Sequence, residues 1–201
     1  MCASESIRIL STYYYYYESL VGKLLLVSDG ANLNGIGLPH GKMKRKHELS
    51  WVNDIQPFKK PIAQLEAYFR GERKSFDVAV SLSGTAFQTS VWKTLKKIPY
   101  GKTWSYREVA GYIGRPRASR AVGSANGLNP IPIIIPCHRV ILSNGNDGNY
   151  GGGKRLKKRL IKRNQDSPQE VERRFKAYEK DKQHWKDYDY ILSLIHISEP
   201  T

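Results

Sequence analysis

Over residues 12–38 the chain alternates between strand-like runs and turn signals. Tyr13–Tyr17 and Leu24–Val27 are aromatic and aliphatic runs of strand length, and Asp29-Gly30 marks a tight turn after them. Residues 39–60 are polar and basic and read as a loop. Pro61 opens a predicted helix through about Arg70, with Ile62, Leu65 and Phe69 on one face. Phe76–Leu82 alternates and predicts a strand. From Phe87 the period turns helical: Phe87, Val91, Trp92 and Leu95 make an apolar stripe that stops at Pro99-Tyr100-Gly101. Ser105, with Glu108 three residues on, is a capping box for a helix to Ile113. After Gly114-Arg115-Pro116 a second helix is predicted over Arg117–Asn126, which makes a helix-turn-helix. Residues 154–163 form a basic amphipathic helix with Leu156, Leu160 and Ile161 inward.

These elements predict an α+β protein. Residues 1–84 form a small α+β domain with antiparallel strands. Residues 85–166 form a mainly helical, winged-helix-like domain that carries the helix-turn-helix and a cysteine loop. Residues 167–201 form a C-terminal extension whose last ten residues, Leu192–Thr201, resemble translated adaptor sequence and are set aside as artefactual.

Composition narrows the class. With 40% apolar residues and no apolar run of membrane-spanning length, the chain is expected to be soluble. No secretory signal is read in residues 1–10, so an intracellular, nuclear location is expected, or a cytoplasmic one in a prokaryote. Lys42-Met43-Lys44-Arg45-Lys46 reads either as a nuclear address or as a solvated basic loop. The net charge of +15 is unevenly spread. Residues 85–166 hold 16 Lys and Arg against 3 Asp and Glu, whereas residues 1–84 hold 11 against 8. A basic block on a helix-turn-helix is the footprint of a polyanion, so double-stranded DNA is the expected partner. The helix after the turn is rich in small residues (Ala118, Ser119, Ala121, Gly123, Ser124, Ala125). Those residues suit close helix packing or close approach to a minor groove.

The candidate chemistry lies in Asn129-Pro130-Ile131-Pro132-Ile133-Ile134-Ile135-Pro136-Cys137-His138-Arg139-Val140. It sets one of the two cysteines directly before a histidine, in a proline-stiffened apolar segment. An imidazole can take a thiol proton near neutral pH, so Cys137 is the candidate nucleophile and His138 its base. Adjacent residues of an extended segment point apart, so a bridging water or a local turn is expected between them.

Asn-Pro-x-Pro-x-x-x-Pro-Cys-His-Arg-Val resembles the active-site signature of the O6-alkylguanine-DNA alkyltransferases. Phe87-Gln88, Val91-Trp92, Ile98-Pro99-Tyr100-Gly101, Ser105-Tyr106, Ser119-Arg120-Ala121-Val122-Gly123 and Gly148-Asn149-Tyr150 resemble further motifs of that family, in family order. The resemblance implies repair of O6-alkylguanine in double-stranded DNA, by transfer of the alkyl group to Cys137 in a single turnover, without cofactor or metal, by a monomer. It implies that Tyr106 donates to the flipped guanine and that Arg120 fills the vacated stack. It places Asn129, Val140, Tyr150 and Gly151 at the base pocket, and Ser119, Ala121 and Arg139 with Arg120 and Tyr106 at the DNA. Residues 1–84 hold too few thiolates for the zinc site of some relatives: Cys2, with His40 and His47.

One departure stands out. Fourteen residues after Tyr150 the family has a glutamate that orients the histidine, and this chain has Asn164. Asn164 can hold an imidazole by hydrogen bond, as in Cys-His-Asn proteases, but cannot offset its charge. Slow transfer is the expected outcome. A noncatalytic alkylated-DNA-binding protein and a cysteine hydrolase using Cys137 and His138 are the alternatives.

Overall fold

The structure is a computed structural model that describes residues 11–148 and 150–163, with Gln169, Arg173 and Lys176 beyond them. Its first half is a four-stranded sheet ordered β3-β2-β1-β4, made of β1 (Tyr13–Ser19), β2 (Gly22–Ser28), β3 (Leu33–Gly37) and β4 (Val52–Asn53). β1–β2 and β2–β3 pair antiparallel, and β4 runs parallel to β1. The first hairpin closes at Gly22, whose φ of +106° suits a residue without Cβ. Leu24, Leu25, Leu26 and Val27 are all buried, so both faces of β2 are covered. Leu24 and Leu26 join one core with Phe58, Leu65, Tyr68 and Phe69.

The other face is covered by the segment read above as a loop. His47 stacks on Tyr14 with ring centroids 4.2 Å apart, Tyr16 Oη lies 3.1 Å from His47 Nδ1, and Arg45 packs against Gly35 and Gly37. This segment also contains two 3-10 turns, Gly41–Met43 and Gln56–Phe58, besides β4. The second turn leads into α1 (Lys59–Phe69), with Pro61 in its first turn, where the missing N–H costs nothing.

The strand expected over Phe76–Leu82 does not form. Only Val80 bridges to Leu33, through Leu33 N to Ala79 O (2.9 Å) and Ser81 N to Leu33 O (3.1 Å). The cause is a side chain from α1: Gln64 accepts from Asp77 N at 2.8 Å and donates to Asp77 O at 2.9 Å. This bidentate grip takes the backbone groups a strand would need.

The second half is helical: α2 (Ala86–Leu95), α3 (Tyr106–Tyr112), α4 (Ser119–Gly127) and α5 (Lys154–Arg163), with a short parallel pair β5 (Trp104–Ser105) and β6 (Val140–Ile141). The Ser105–Glu108 capping box is present, and a second one, Thr85–Gln88, starts α2. Val91, Trp92 and Leu95 are buried as their spacing predicts, and Trp92 Nε1 donates to Ala125 O at 2.8 Å, which ties α2 to α4. α4 begins two residues later than the sequence suggests, because an intervening turn bonds Ala118 N to Arg115 O. α5 buries Leu156 and Leu160.

Candidate functional site

Residues 128–136 form a loop without regular structure whose shape is set by its own side chains and which leads into Cys137. Asn129 Nδ2 donates to Ile135 O at 2.8 Å, and its Oδ1 accepts from Ile131 N at 3.0 Å. One asparagine thereby closes the loop on both sides. Ile133 inside it has φ of +77°, a conformation a β-branched residue adopts only when its surroundings force it. Residues 131–140 are all buried.

Cys137 starts a 3-10 turn through Arg139, so the local turn anticipated between Cys137 and His138 is present. Asn129 Nδ2 also lies 2.9 Å from Cys137 Sγ, and Asn126 Nδ2 donates to Cys137 O at 3.3 Å. Burial pushes the Cys137 thiol up to about 11, against smaller lowering effects from Asn129, Tyr150 and the Lys157 charge. The Tyr150 hydroxyl sits beside the thiol, short of the geometry of a full hydrogen bond, and has no other partner among the described residues. Burial, then the Cys137 sulfur, raises Tyr150 and, less, Tyr106. The half-buried Tyr106 ring begins α3 and approaches both Gly123 and Gly148; a Cβ on Gly148 would stand 3.4 Å from its hydroxyl.

His138 is fully buried, and neither ring nitrogen has a partner among the described residues. Burial holds it well below its ordinary value, helped by the Arg139 and Lys157 charges, so the ring is neutral at pH 7. No direct hydrogen bond joins it to the thiol.

The remaining candidates divide. Arg120 is exposed in the first turn of α4, with the exposed Ala121 and the half-buried Ser119 beside it. Arg139, expected at the DNA, is 5% exposed: it donates to Ile98 O at 2.9 Å and lies over the Tyr100 ring, so its guanidinium is turned into the protein instead of outward toward DNA. Gly151 packs against the Met43 side chain rather than facing an open pocket. A Cβ there would lie 2.7 Å from Met43 Cγ, and Gly151 O accepts from Met43 N at 3.2 Å. Val140 is buried and its carbonyl accepts from Lys157. Asn164 lies outside the described residues.

Lys157 is the functional candidate that pattern reading misses. The helix is basic along its length, which hides the fact that this lysine is fully buried. Its amine donates to Val140 O and Asp147 O, and burial draws it down to about 8, while the Asp147 and Cys137 charges pull the other way. Its position one residue after Leu156, at the edge of the apolar face, is the only signal the sequence offers.

Comparison with known proteins bears on both halves. Residues 12–82 match the ribonuclease-like domain of the 6-O-methylguanine DNA methyltransferases, and residues 86–166 match their DNA binding domain. A methylated-DNA–protein-cysteine methyltransferase of Methanosarcina acetivorans is 50% identical over 150 residues, covering 75% of this chain and 96% of that protein. One from Mycobacterium tuberculosis is 45% identical over 152 residues, covering 74% and 90%. The fold is similar to a crystal structure of Mycobacterium tuberculosis OGT in complex with DNA, with a TM-score of 0.71 at 44% identity over 76% of this chain and 92% of that one.

Proposed function

The chain belongs to the 6-O-methylguanine DNA methyltransferase family, and from that premise we propose that Cys137 is the residue that accepts the alkyl group. The protein is a DNA-repair alkyltransferase that moves an alkyl group from DNA to a protein cysteine. The observation that carries the assignment of Cys137 is its setting: a buried thiol bonded by Asn129, with Tyr106, Tyr150 and Lys157 close enough to couple to its charge.

The substrate is O6-alkylguanine in double-stranded DNA. Its reacting carbon lies inside the duplex, so the base is extruded into the protein, and Arg120 on α4 fills the gap. The α3–α4 pair with β5–β6 acts as a winged-helix-like DNA-binding unit within residues 85–166, and residues 1–84 form a separate domain. Sulfur attacks the alkyl carbon, a C–S bond forms as the C–O6 bond breaks, and the electron pair leaves on guanine. Tyr106 donates to the departing base. The thiol proton passes to the neutral His138 through a bridging water.

A thiol at about 11 is ionised in roughly one molecule in several thousand near pH 7.5, and the buried Lys157 charge is one of the influences that keep it from lying higher still. The thioether is stable, so each monomer acts once and no cofactor restores it. Relatives from organisms without a nucleus favour a cytoplasmic location over the nuclear one suggested by Lys42–Lys46.

Intact-mass measurement after incubation with a duplex containing one O6-methylguanine tests the assignment. One methyl group per protein, on the peptide that contains Cys137, is the expected result. Methyl on another residue, or none after prolonged incubation, overturns it.

A further inference from the structure

A cavity of about 180 Å³ lies between the end of α2, the segment after α1 and the cysteine loop. Phe76, Ile98, Ile133 and Ile134 give it apolar walls, and the buried Arg139 lines it. Lys74, Lys96 and Lys97 also line it, and all three are exposed. No Asp or Glu is among the lining residues.

Arg139 is the anomaly. A guanidinium taken out of water needs a carboxylate or an equivalent anion beside it. Arg139 has the Ile98 carbonyl and the Tyr100 ring face, 5.5 Å from its central carbon, and its Nε is buried without an acceptor among the described residues. The Tyr68 hydroxyl, on a ring that packs against both Phe76 and Tyr100, also lacks an acceptor. Neither alkyl transfer nor the DNA-facing helices use this place.

We propose that the cavity is a binding site for a small organic anion, a carboxylate or phosphate carried on an apolar body the size of an aromatic ring. The size follows from the volume, since an apolar cavity of about 150 Å³ accommodates benzene. The charge follows from Arg139, whose planar fork matches a carboxylate or phosphate, and from three lysines that raise the local anion concentration. The site is independent of the reaction at Cys137, although Pro136 and Arg139 bracket Cys137 and His138, so their amides report occupancy.

The test is a titration of the full chain followed by amide NMR, with phenyl phosphate and benzoate as probes and inorganic phosphate and benzyl alcohol as comparisons. The expected result is saturable one-to-one binding of both aromatic anions, with shifts at residues 133–139 and weaker binding of the other two. Lys96→Glu changes an exposed side chain and leaves the fold alone; it should weaken phenyl phosphate on the order of tenfold. Ile134→Trp, which fills the cavity, should abolish binding while a retained amide spectrum shows that the chain is folded. Unsaturable shifts, or affinity unchanged in both variants, overturn the proposal. Equal binding of inorganic phosphate marks a bare anion site and overturns the ring-sized body.

Discussion

β2 and the Ile131–Val140 segment are both buried along most of their length, and they bury different things. β2 buries Leu24, Leu25, Leu26 and Val27, with its backbone groups paired to β1 on one side and β3 on the other. The loop buries a thiol, an imidazole and a guanidinium, turns through Ile133 at φ +77°, and leaves both His138 nitrogens and Arg139 Nε without partners among the described residues. Burial in the strand serves the core alone. Burial in the loop shifts proton affinities: the thiol up, the imidazole and the Lys157 amine down. Locally unfavourable features held in place by a well-packed surround are what a reactive site requires.

The sharpest test of the contrast exchanges the two kinds of residue for alanine. Cys137→Ala should abolish transfer entirely while the thermal midpoint moves little, because it removes one small buried atom. Leu26→Ala should cost about 2–5 kcal/mol of stability through the cavity it leaves. The folded fraction of Leu26→Ala should transfer at the wild-type rate. Urea unfolding and single-turnover kinetics on both variants decide the matter. A Cys137→Ala protein that fails to fold, or a folded Leu26→Ala protein that is inactive, breaks the distinction.

Lys157 offers a second comparison, between a buried lysine and an exposed one. Lys157→Met keeps the length of the side chain and removes the charge coupled to the thiolate. The expected change is a transfer rate lower by up to about tenfold at pH 7.5, with the thiol pushed further up. Lys23→Met breaks the pair with Glu18, 3.1 Å apart, and a contact over the Tyr16 ring, both at the surface, and should leave the rate unchanged. Equal rates in wild type and Lys157→Met would remove Lys157 from the site.

The halves meet where the Gly41–Met43 turn grips Gly151 and Gly152 beside Tyr150. Gly41 has φ of +79°, and a Cβ there would collide with the Gly151 carbonyl oxygen. Gly41→Ala should cost about 1–3 kcal/mol from strain at a left-handed position. Because the displaced strand of chain is the one that carries Tyr150, transfer should slow as well. Stability lost without any change in rate would show that the sheet half supports the fold and leaves the pocket alone.

Much of the fold is legible in the chain because its signals are local and periodic. The Tyr13–Tyr17 and Leu24–Val27 runs, the stripe on α2 and the Ser105–Glu108 box each need only a few neighbouring residues, and each appears where it is expected. The Thr85–Gln88 box was equally readable from its spacing. The failures are nonlocal. Gln64 reaches thirteen residues along the chain to take the Asp77 backbone from a strand. Arg139 and Lys157 belong to residue types that normally stay in water, and nothing beside them announces burial. Cys137 and His138 could be identified by residue type, but their proton affinities come from packing that no spacing encodes.

The smallest effect is a limb of the stability curve. His138 is buried and neutral, with a folded pKa well below the 6.5 of a free imidazole. As pH falls through 6.5 the unfolded chain takes up a proton that the folded chain refuses, so stability is present above 6.5 and is lost below it. The loss amounts to at most about 1.4 kcal/mol per pH unit for one proton. Asp77, held down by Lys60, and Glu108, held down by Ser105, act only below about 4.5, so the interval from 6.5 to 5 isolates the imidazole. Urea midpoints measured at pH 7.5, 6 and 5 should fall in wild type and stay flatter in His138→Gln, by the equivalent of one proton. The same acid-side loss in both proteins would mean that His138 is charged or solvated when folded, and the contrast between an inert strand and a tuned loop would then rest on Cys137 and Lys157.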